Sequence, residues 1–342
     1  MAQTNTQVIF KSRPEGWVSE DNFDIRQSEV PALEDGDVLV RNIYMSVDPY
    51  MRGRMMDRQS YVPGFQIGEV LSGGAVGQVE QSKNPQFSEG DFVTSMNLGW
   101  EQFTRVPGGA MLMPVDPSMA PLSYYLGVLG MPGMTAYVGL LDIGEPKEGE
   151  TVLVSAASGA VGQIVGQIAK IKGCHVVGSA GADDKVAFIT DELGFDSGFN
   201  YKTVESLGKA LGEHCPKGID VFFDNVGGAM LDAVLARINV RARLVECGMI
   251  SQYNLTKPEG IHNLIAMVGN RAKMQGFIVS DHFDRLPAFI AEMSGWLRDG
   301  TVKYREDIMM GVENAPAAFV RMLKGENFGK QVVQIGDDPA RA

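Results

Sequence analysis

The sequence predicts an α/β chain made of a β-rich first third followed by a doubly wound parallel sheet. Three observations predict it. Residues 1 to about 125 show short strand patterns parted by Gly, Pro and Asp, with no alternation of strand and helix. From residue 150 onward, apolar β-branched runs alternate with helical spacing, which is the pattern of parallel strands joined by crossover helices. At the head of that alternation, residues 152–185 read as strand, glycine turn, helix and strand.

The elements follow in order. Val38 to Val47 is the longest early strand, introduced by the turn Glu34-Asp35-Gly36-Asp37. Gln66 to Glu80 reads as a strand with Gly73-Gly74 in its middle. Phe92 to Met96 and Glu101 to Val106 follow, separated by Asn97-Leu98-Gly99. Together they predict a small barrel or sandwich. Leu126 to Leu141 carries helical spacing, which Met131-Pro132-Gly133-Met134 is expected to interrupt. Strands are then expected at 151–156, 175–179, 197–200, 219–224, 243–248 and 274–279, with helices at 183–193, 204–213 and 229–237. Phe283 to Leu297 reads as a further helix. The tail breaks the βα rhythm. Thr301 to Met310 is extended, Glu313 to Leu323 helical and Gln331 to Ile335 a short strand, so it is expected to return to the β module. The domains expected are therefore 1–125, 126–300 and 301–342.

The turn Ala157-Ser158-Gly159-Ala160-Val161-Gly162 is a G-x-G-x-x-G dinucleotide fingerprint with Ala157 at the first glycine. Gly159 leaves room for backbone to approach a pyrophosphate, and Gly162 lets the helix pack close to the strand. The helix N-terminus then offers free N–H groups and partial positive charge to the phosphates. The alternative is a tight turn of any α/β protein; the strand before and the helix and strand after favour the nucleotide. Sites for NAD place Asp or Glu at the end of the second strand to bond the ribose 2′-hydroxyl. Here Ser179 stands 17 residues past Gly162, and Lys185 follows within a turn. This favours a 2′-phosphate, hence NADP(H), over a solvated helix charge at Lys185. Asp183 and Asp184 are expected to face solvent as the cap and first turn of the next helix.

Bulk properties exclude several classes. With 342 residues, the chain is long enough for two cores, and no apolar run reaches the length of a membrane span. A formal net charge of −12 opposes a nucleic-acid or anionic-membrane surface. Cys174, Cys215 and Cys247 form no close pair, which suits a reducing compartment and a cytoplasmic protein. The four His residues are scattered.

Several strings, in one order along nearly the whole chain, carry a resemblance. They are Asp48-Pro49-Tyr50-Met51-Arg52-Gly53-Arg54-Met55, Ala156 to Gly162, Phe199-Asn200-Tyr201-Lys202, Phe223-Asp224-Asn225-Val226-Gly227-Gly228, Cys247 to Asn254 and Lys324 to Lys330. On these the chain resembles the zinc-independent medium-chain dehydrogenase/reductases, in the leukotriene B4 dehydrogenase, prostaglandin reductase and 2-alkenal (curcumin) reductase family. The resemblance implies a GroES-like catalytic domain and a Rossmann domain. It implies NADPH-dependent reduction of the C=C bond of α,β-unsaturated ketones and aldehydes, and a homodimer. Carried over, Gly159, Ala160, Val161 and Gly162 hold the pyrophosphate and Lys185 the 2′-phosphate. Tyr201 and Asn225 line the cofactor, Cys247, Gly248, Ile250, Ser251 and Tyr253 lie near the nicotinamide, and Phe277, Ile278, Val279 and Asn327 close over it. Zinc-bearing relatives need Cys, His and Glu ligands; Ser46-Val47-Asp48 and Pro63 to Glu69 stand in those regions, and no His precedes His175.

A reaction without a metal must stabilise the substrate oxyanion by hydrogen bonds. Tyr253 is the candidate donor; the alternative is an aromatic that only walls the pocket. Tyr50 and Arg52 are candidates for substrate contact, Arg52 either holding a substrate carboxylate or pairing internally with Asp48 or Asp57. The rival readings are an NADPH:quinone reductase and an NADPH-binding sensor without turnover.

Overall fold

The computed structural model describes residues 4–341. Along the chain come β1 (Thr4–Phe10), β2 (Phe23–Glu29), β3 (Val38–Ser46), α1 (Met51–Arg54), β4 (Ser72–Ser82), β5 (Phe92–Gly99), β6 (Phe103–Val106) and β7 (Met113–Pro114). Next are α2 (Met131–Val138), β8 (Thr151–Val154), α3 (Gly162–Ile171), β9 (His175–Ala180), α4 (Asp183–Ala187), β10 (Ser197–Asn200), α5 (Leu207–His214), β11 (Ile219–Asp224), α6 (Gly228–Leu235) and β12 (Ile238–Glu246). The chain ends with α7 (Ala266–Asn270), β13 (Lys273–Gly276), α8 (Leu286–Arg298), β14 (Glu306–Met310), α9 (Ala315–Leu323) and β15 (Lys330–Gln334). It divides into two compact units. The first holds the residues up to Gly127, Glu306–Asn327 and those from Gln331 on; the second holds Val128–Arg305 and Phe328–Lys330.

The first unit is built around β3. One edge of β3 pairs with β4, from Val38↔Ser82 to Met45↔Ala75. The other edge is shared: Val38 to Arg41 pair with β6, and Tyr44 to Ser46 pair with β15 from the far end of the chain. Val38, Leu39, Val40, Ile43, Tyr44 and Met45 are each at most 1% exposed, so this run is buried without alternation. Phe319 of α9 meets Trp100 edge-on at 6.0 Å and Phe23 at 6.4 Å, which fixes the returning tail on this unit's core.

The second unit is a parallel sheet in the order β10-β9-β8-β11-β12-β13. The order reverses direction between β8 and β11, and doubly wound sheets bind their ligands at the carboxyl ends of the strands at that point. Val152, Leu153, Val154, Val221, Phe222 and Phe223 are fully buried, as a sheet covered on both faces requires. Ile164, Val165 and Ile168 bury one face of α3. No helix among the described residues is long and apolar enough to cross a membrane.

The structure departs from the sequence reading in several places. Met131-Pro132-Gly133-Met134 does not interrupt a helix but opens one: Pro132 lies in the first turn of α2, where a missing N–H costs nothing. The helix then runs on through a π-type turn over 139–144. Gln66 to Leu71 is not strand, and β4 starts at Ser72. The sequence pattern does not announce β1 and β2, whose polar residues hide it; they pair from Thr4↔Glu29 to Phe10↔Phe23. β12 begins five residues earlier than expected, at Ile238. Arg241 there takes a left-handed φ of 65°, and the register with β11 shifts between Ile219 and Val221. The helix expected at 183–193 is α4 continued by a π-type turn over 188–192.

Gly166 marks the tightest contact of α3. A Cβ there would lie 1.8 Å from the ring of Phe195, which is itself 4% exposed. Gly166→Ala gains about 1 kcal/mol of helix propensity but overpacks a core at a cost of roughly 1–3 kcal/mol. With a buried ring to displace, overpacking wins. The variant should unfold at lower denaturant with an unchanged m-value; equal or greater stability would show that Phe195 moves freely.

Candidate functional site

The carboxyl ends of β8, β11 and β12 are tied together by one bonded network. Asp224 closes β11 and is fully buried. It accepts from the Ser155 hydroxyl at 2.8 Å, the Val226 amide at 2.8 Å and the Gly227 amide at 3.1 Å. Burial lifts its carboxyl above the ordinary value, and these donors oppose the lift. Ser155, just beyond β8, also accepts the Asn225 amide at 2.8 Å, while the Asn225 side chain donates to the Ser155 carbonyl at 2.8 Å. The β12 side joins through backbone. The Cys247 and Gly248 amides donate to the Asp224 carbonyl, Ile250 donates to that of Asn225, and Ser251 to that of Val226. The Ser251 hydroxyl adds a bond to Val226 at 2.6 Å.

Tyr253 folds back over this loop. Its phenolic oxygen accepts the Met249 amide at 3.1 Å. A Cβ on Gly248 would stand 2.9 Å from the same oxygen, so only glycine admits the tyrosine this close. Phe277 leaves β13 and packs over Gly139, where a Cβ would lie 2.7 Å from its ring. Ile278 and Val279 follow in extended and 3-10 backbone. The second unit thus brings Asn225, Cys247, Gly248, Ile250, Ser251 and Tyr253 into one network at the strand ends.

The glycine turn lies beside it, beyond β8. A Cβ on Gly162 would lie 2.4 Å from the Ala156 carbonyl and 2.8 Å from the Ala157 Cα, so close strand–helix packing requires glycine. A Cβ on Gly159 would lie 3.1 Å from the Ala156 carbonyl, tight but outside the packed seam. Among the described residues the amides of Ala160, Val161 and Gly162 donate no hydrogen bond, and they open the ten-residue α3. This cradle of amides at a helix N-terminus fits a pyrophosphate.

At the end of β9, Ser179 is buried and Lys185 half-buried in α4. Gly181 faces the Tyr201 hydroxyl and the Lys202 stem, at 3.0 and 3.3 Å from a Cβ placed there. The aspartates are engaged locally. Asp183 accepts from the Asn200 side chain at 2.7 Å, and Asp184 accepts the Lys185 amide at 2.8 Å. The cap of α4 is Ala182, so both aspartates belong to the first turn and neither is the cap. Lys202, a second cation at this edge, was not singled out in the sequence, although it stands beside Tyr201.

The three remaining candidates belong to the first unit. Asn327 follows α9. Tyr50 is half-buried, and burial and the Asp48 carboxylate push its phenol above its ordinary value. Arg52 is 2% exposed and donates to the Gly16 carbonyl at 2.8 Å and the Met56 sulfur at 2.8 Å. Its neighbour Arg54, also buried, donates to Pro63 and Ser72 and lies 4.0 Å over the Phe65 ring. Burial pushes the thiols of Cys215 and Cys247 up to about 12 and that of Cys174 to about 11, which leaves all three as unreactive thiols.

Sequence reasoning gave no role to Ser155, Asp224 or Glu246. The available signal was a charged residue ending an apolar run, in Phe222-Phe223-Asp224 and Leu244-Val245-Glu246. Among the described residues no group of three or more His, Cys, Asp or Glu could hold a metal ion.

A family described as the N-terminal domain of oxidoreductase matches residues 6–115, and one described as zinc-binding dehydrogenase matches residues 160–295. The 2-alkenal reductase (NADP(+)-dependent) of Nicotiana tabacum is 46% identical over 336 residues, which cover 97% of this chain and 98% of the relative. The NADPH-dependent curcumin reductase of Escherichia coli (strain K12) is 45% identical over 343 residues, covering 98% and 99%. The crystal structure of CurA in complex with NADPH from Vibrio vulnificus matches with a TM-score of 0.92 at 46% identity, over 97% of this chain and all of that one. The chain is therefore an oxidoreductase that belongs to the prostaglandin, 2-alkenal and curcumin reductase family of the medium-chain dehydrogenase/reductases.

Proposed function

We propose that this chain is an NADPH-dependent reductase of the C=C bond in α,β-unsaturated ketones and aldehydes, working without a metal. The names of the full-length relatives support the substrate class, and the NADPH complex of a relative supports the cofactor. The lone amides of Ala160 to Gly162 would hold the pyrophosphate. Lys185, with no acidic residue at Ser179, would hold the 2′-phosphate beside Tyr201. NADPH bound there supplies the hydride, which goes to the β-carbon of the substrate.

The observation that carries the reaction is the Tyr253 hydroxyl, held against the Met249 amide at the strand ends. An amide donating to a phenolic oxygen makes the hydroxyl a better donor. That hydroxyl would bond the substrate oxygen as it gains charge, the work a metal does in other enzymes of this fold. The α-carbon takes its proton from water. Tyr50 serves as a substrate contact; the buried bonds of Arg52 to the Gly16 carbonyl and the Met56 sulfur favour a structural role over a hold on a substrate carboxylate. A homodimer in the cytoplasm completes the reading, as the family resemblance implies.

Two variants test it. Lys185→Ala loses a charged hydrogen bond worth roughly 1.5–3 kcal/mol, so the KM for NADPH should rise about ten- to a hundredfold while that for NADH changes little. Equal effects on both would remove the 2′-phosphate role. Tyr253→Phe should lower kcat by roughly 10²–10³ under saturating NADPH; unchanged turnover would remove the tyrosine from the reaction. Running the wild type on a 2-alkenal, a quinone and no acceptor separates this reading from a quinone reductase and from a sensor.

A further inference from the structure

Glu246 is the last residue of β12. In the parallel register it stands beside Asp224 of β11 on one side and Gly276 of β13 on the other. Leu244 and Phe222, two residues earlier on each strand, share one apolar cluster with Met230 and Leu231 of α6. Both carboxyl groups therefore leave the sheet on that same face. The two differ in what they meet. Asp224 has the Ser155 hydroxyl and two amides. Both carboxyl oxygens of Glu246 are buried, and neither has a hydrogen-bond partner among the described residues.

Neighbouring carboxyl groups in such a place do not both ionise. Asp224, with its donors, keeps the charge, and Glu246 keeps the proton. Burial and the Asp224 charge push the Glu246 carboxyl up to about 8. Among the described residues, the other elements packed on β12 bring no compensating cation to it. Lys273 of β13 sits opposite Arg243, three residues away. Residues 266–270 of α7 contain no titratable side chain, and Asp142 of the 139–144 turn is paired with Arg285 at 2.8 Å. Cys247 is the next residue along the chain, and its thiol is pushed up in part by Glu246.

Position gives this proton a consequence. The residue after Glu246 begins the 247–253 loop, whose amides hang on the carbonyls of Asp224, Asn225 and Val226. We propose that Glu246 is a positioning residue: as the neutral acid it lets β11 and β12 end side by side and holds the 247–253 loop in its cofactor-binding form, and on losing its proton to solvent it repels Asp224 and loosens that loop. The inference rests on the cofactor reading above. The sign follows from the raised value. The folded chain binds this proton more tightly than the unfolded chain does, so the stabilising effect is complete at acid pH. It declines as pH climbs from the ordinary carboxylate range to about 8.

The test measures the Kd of NADPH by fluorescence from about pH 6 to about pH 9, on wild type and Glu246→Gln. Wild-type affinity should fall by up to about tenfold per pH unit above the transition, and the Gln variant, which cannot ionise, should stay flat. The same pH-dependent fall in both would overturn the proposal. Melting without nucleotide is the second arm. The wild-type midpoint should drop as pH rises and the variant's should not; parallel curves also overturn it. If wild type binds no NADPH at any pH, the cofactor reading fails, while the melting arm still judges Glu246. If the Gln variant does not fold, infrared spectra of wild type decide. A neutral-carboxyl band at neutral pH that fades above about pH 8 supports the proposal, and its absence at neutral pH overturns it.

Discussion

The buried Asp224 carboxylate is the interaction on which the second unit's working edge depends. A parallel sheet ends in a row of carbonyls and departing loops, and nothing in the ladder itself fixes where those loops go. Here a single side chain gathers the amides of Val226 and Gly227 and the Ser155 hydroxyl, so the loops after β8 and β11 hold each other. The loop after β12 then hangs on the backbone of the same residue. A buried group left without its partner costs about 1–3 kcal/mol, so removing any member strands the others. That coupling ties the loops after β8, β11 and β12 to one another.

Close approach does the rest, and it is achieved by leaving side chains out. Gly162 lets α3 seat against Ala156 and Ala157, and Gly248 lets Tyr253 lie on the loop backbone. In each case the missing Cβ sits where, on the proposed function, a phosphate or a reacting oxygen would need backbone dipoles nearby. Electrostatic help of this kind is worth most when its donors need no rearrangement.

Much of this was legible in the sequence. β8, β9 and β11 announce themselves as short apolar runs between glycine or polar turns, and the glycine fingerprint marks the head of α3. The legible signals are local ones. What was not legible depends on contacts distant in sequence. β1 and β2 look polar one by one and become strands by pairing with each other. Pro132 reads as a breaker until residues 127–130 before it are seen to be non-helical, and then it is a start. Glu246 and Asp224 are separated by 22 residues and become neighbours only through the sheet register. Tyr253 stands out in the sequence only through a string that resembles a family, and its bond to Met249 cannot be read from spacing.

The pairing of β3 with both β6 and β15 has a consequence for biosynthesis. The edge of β3 from Tyr44 to Ser46 waits for a partner that begins at Lys330. A ribosome therefore delivers every strand of the parallel sheet before it delivers the one that completes the first unit. The nucleotide-type unit has all its strands while Tyr44 to Ser46 still offer unsatisfied backbone to any passing strand. Chaperone demand during translation should centre on that open margin, and a nascent chain halted before Lys330 should be the aggregation-prone form.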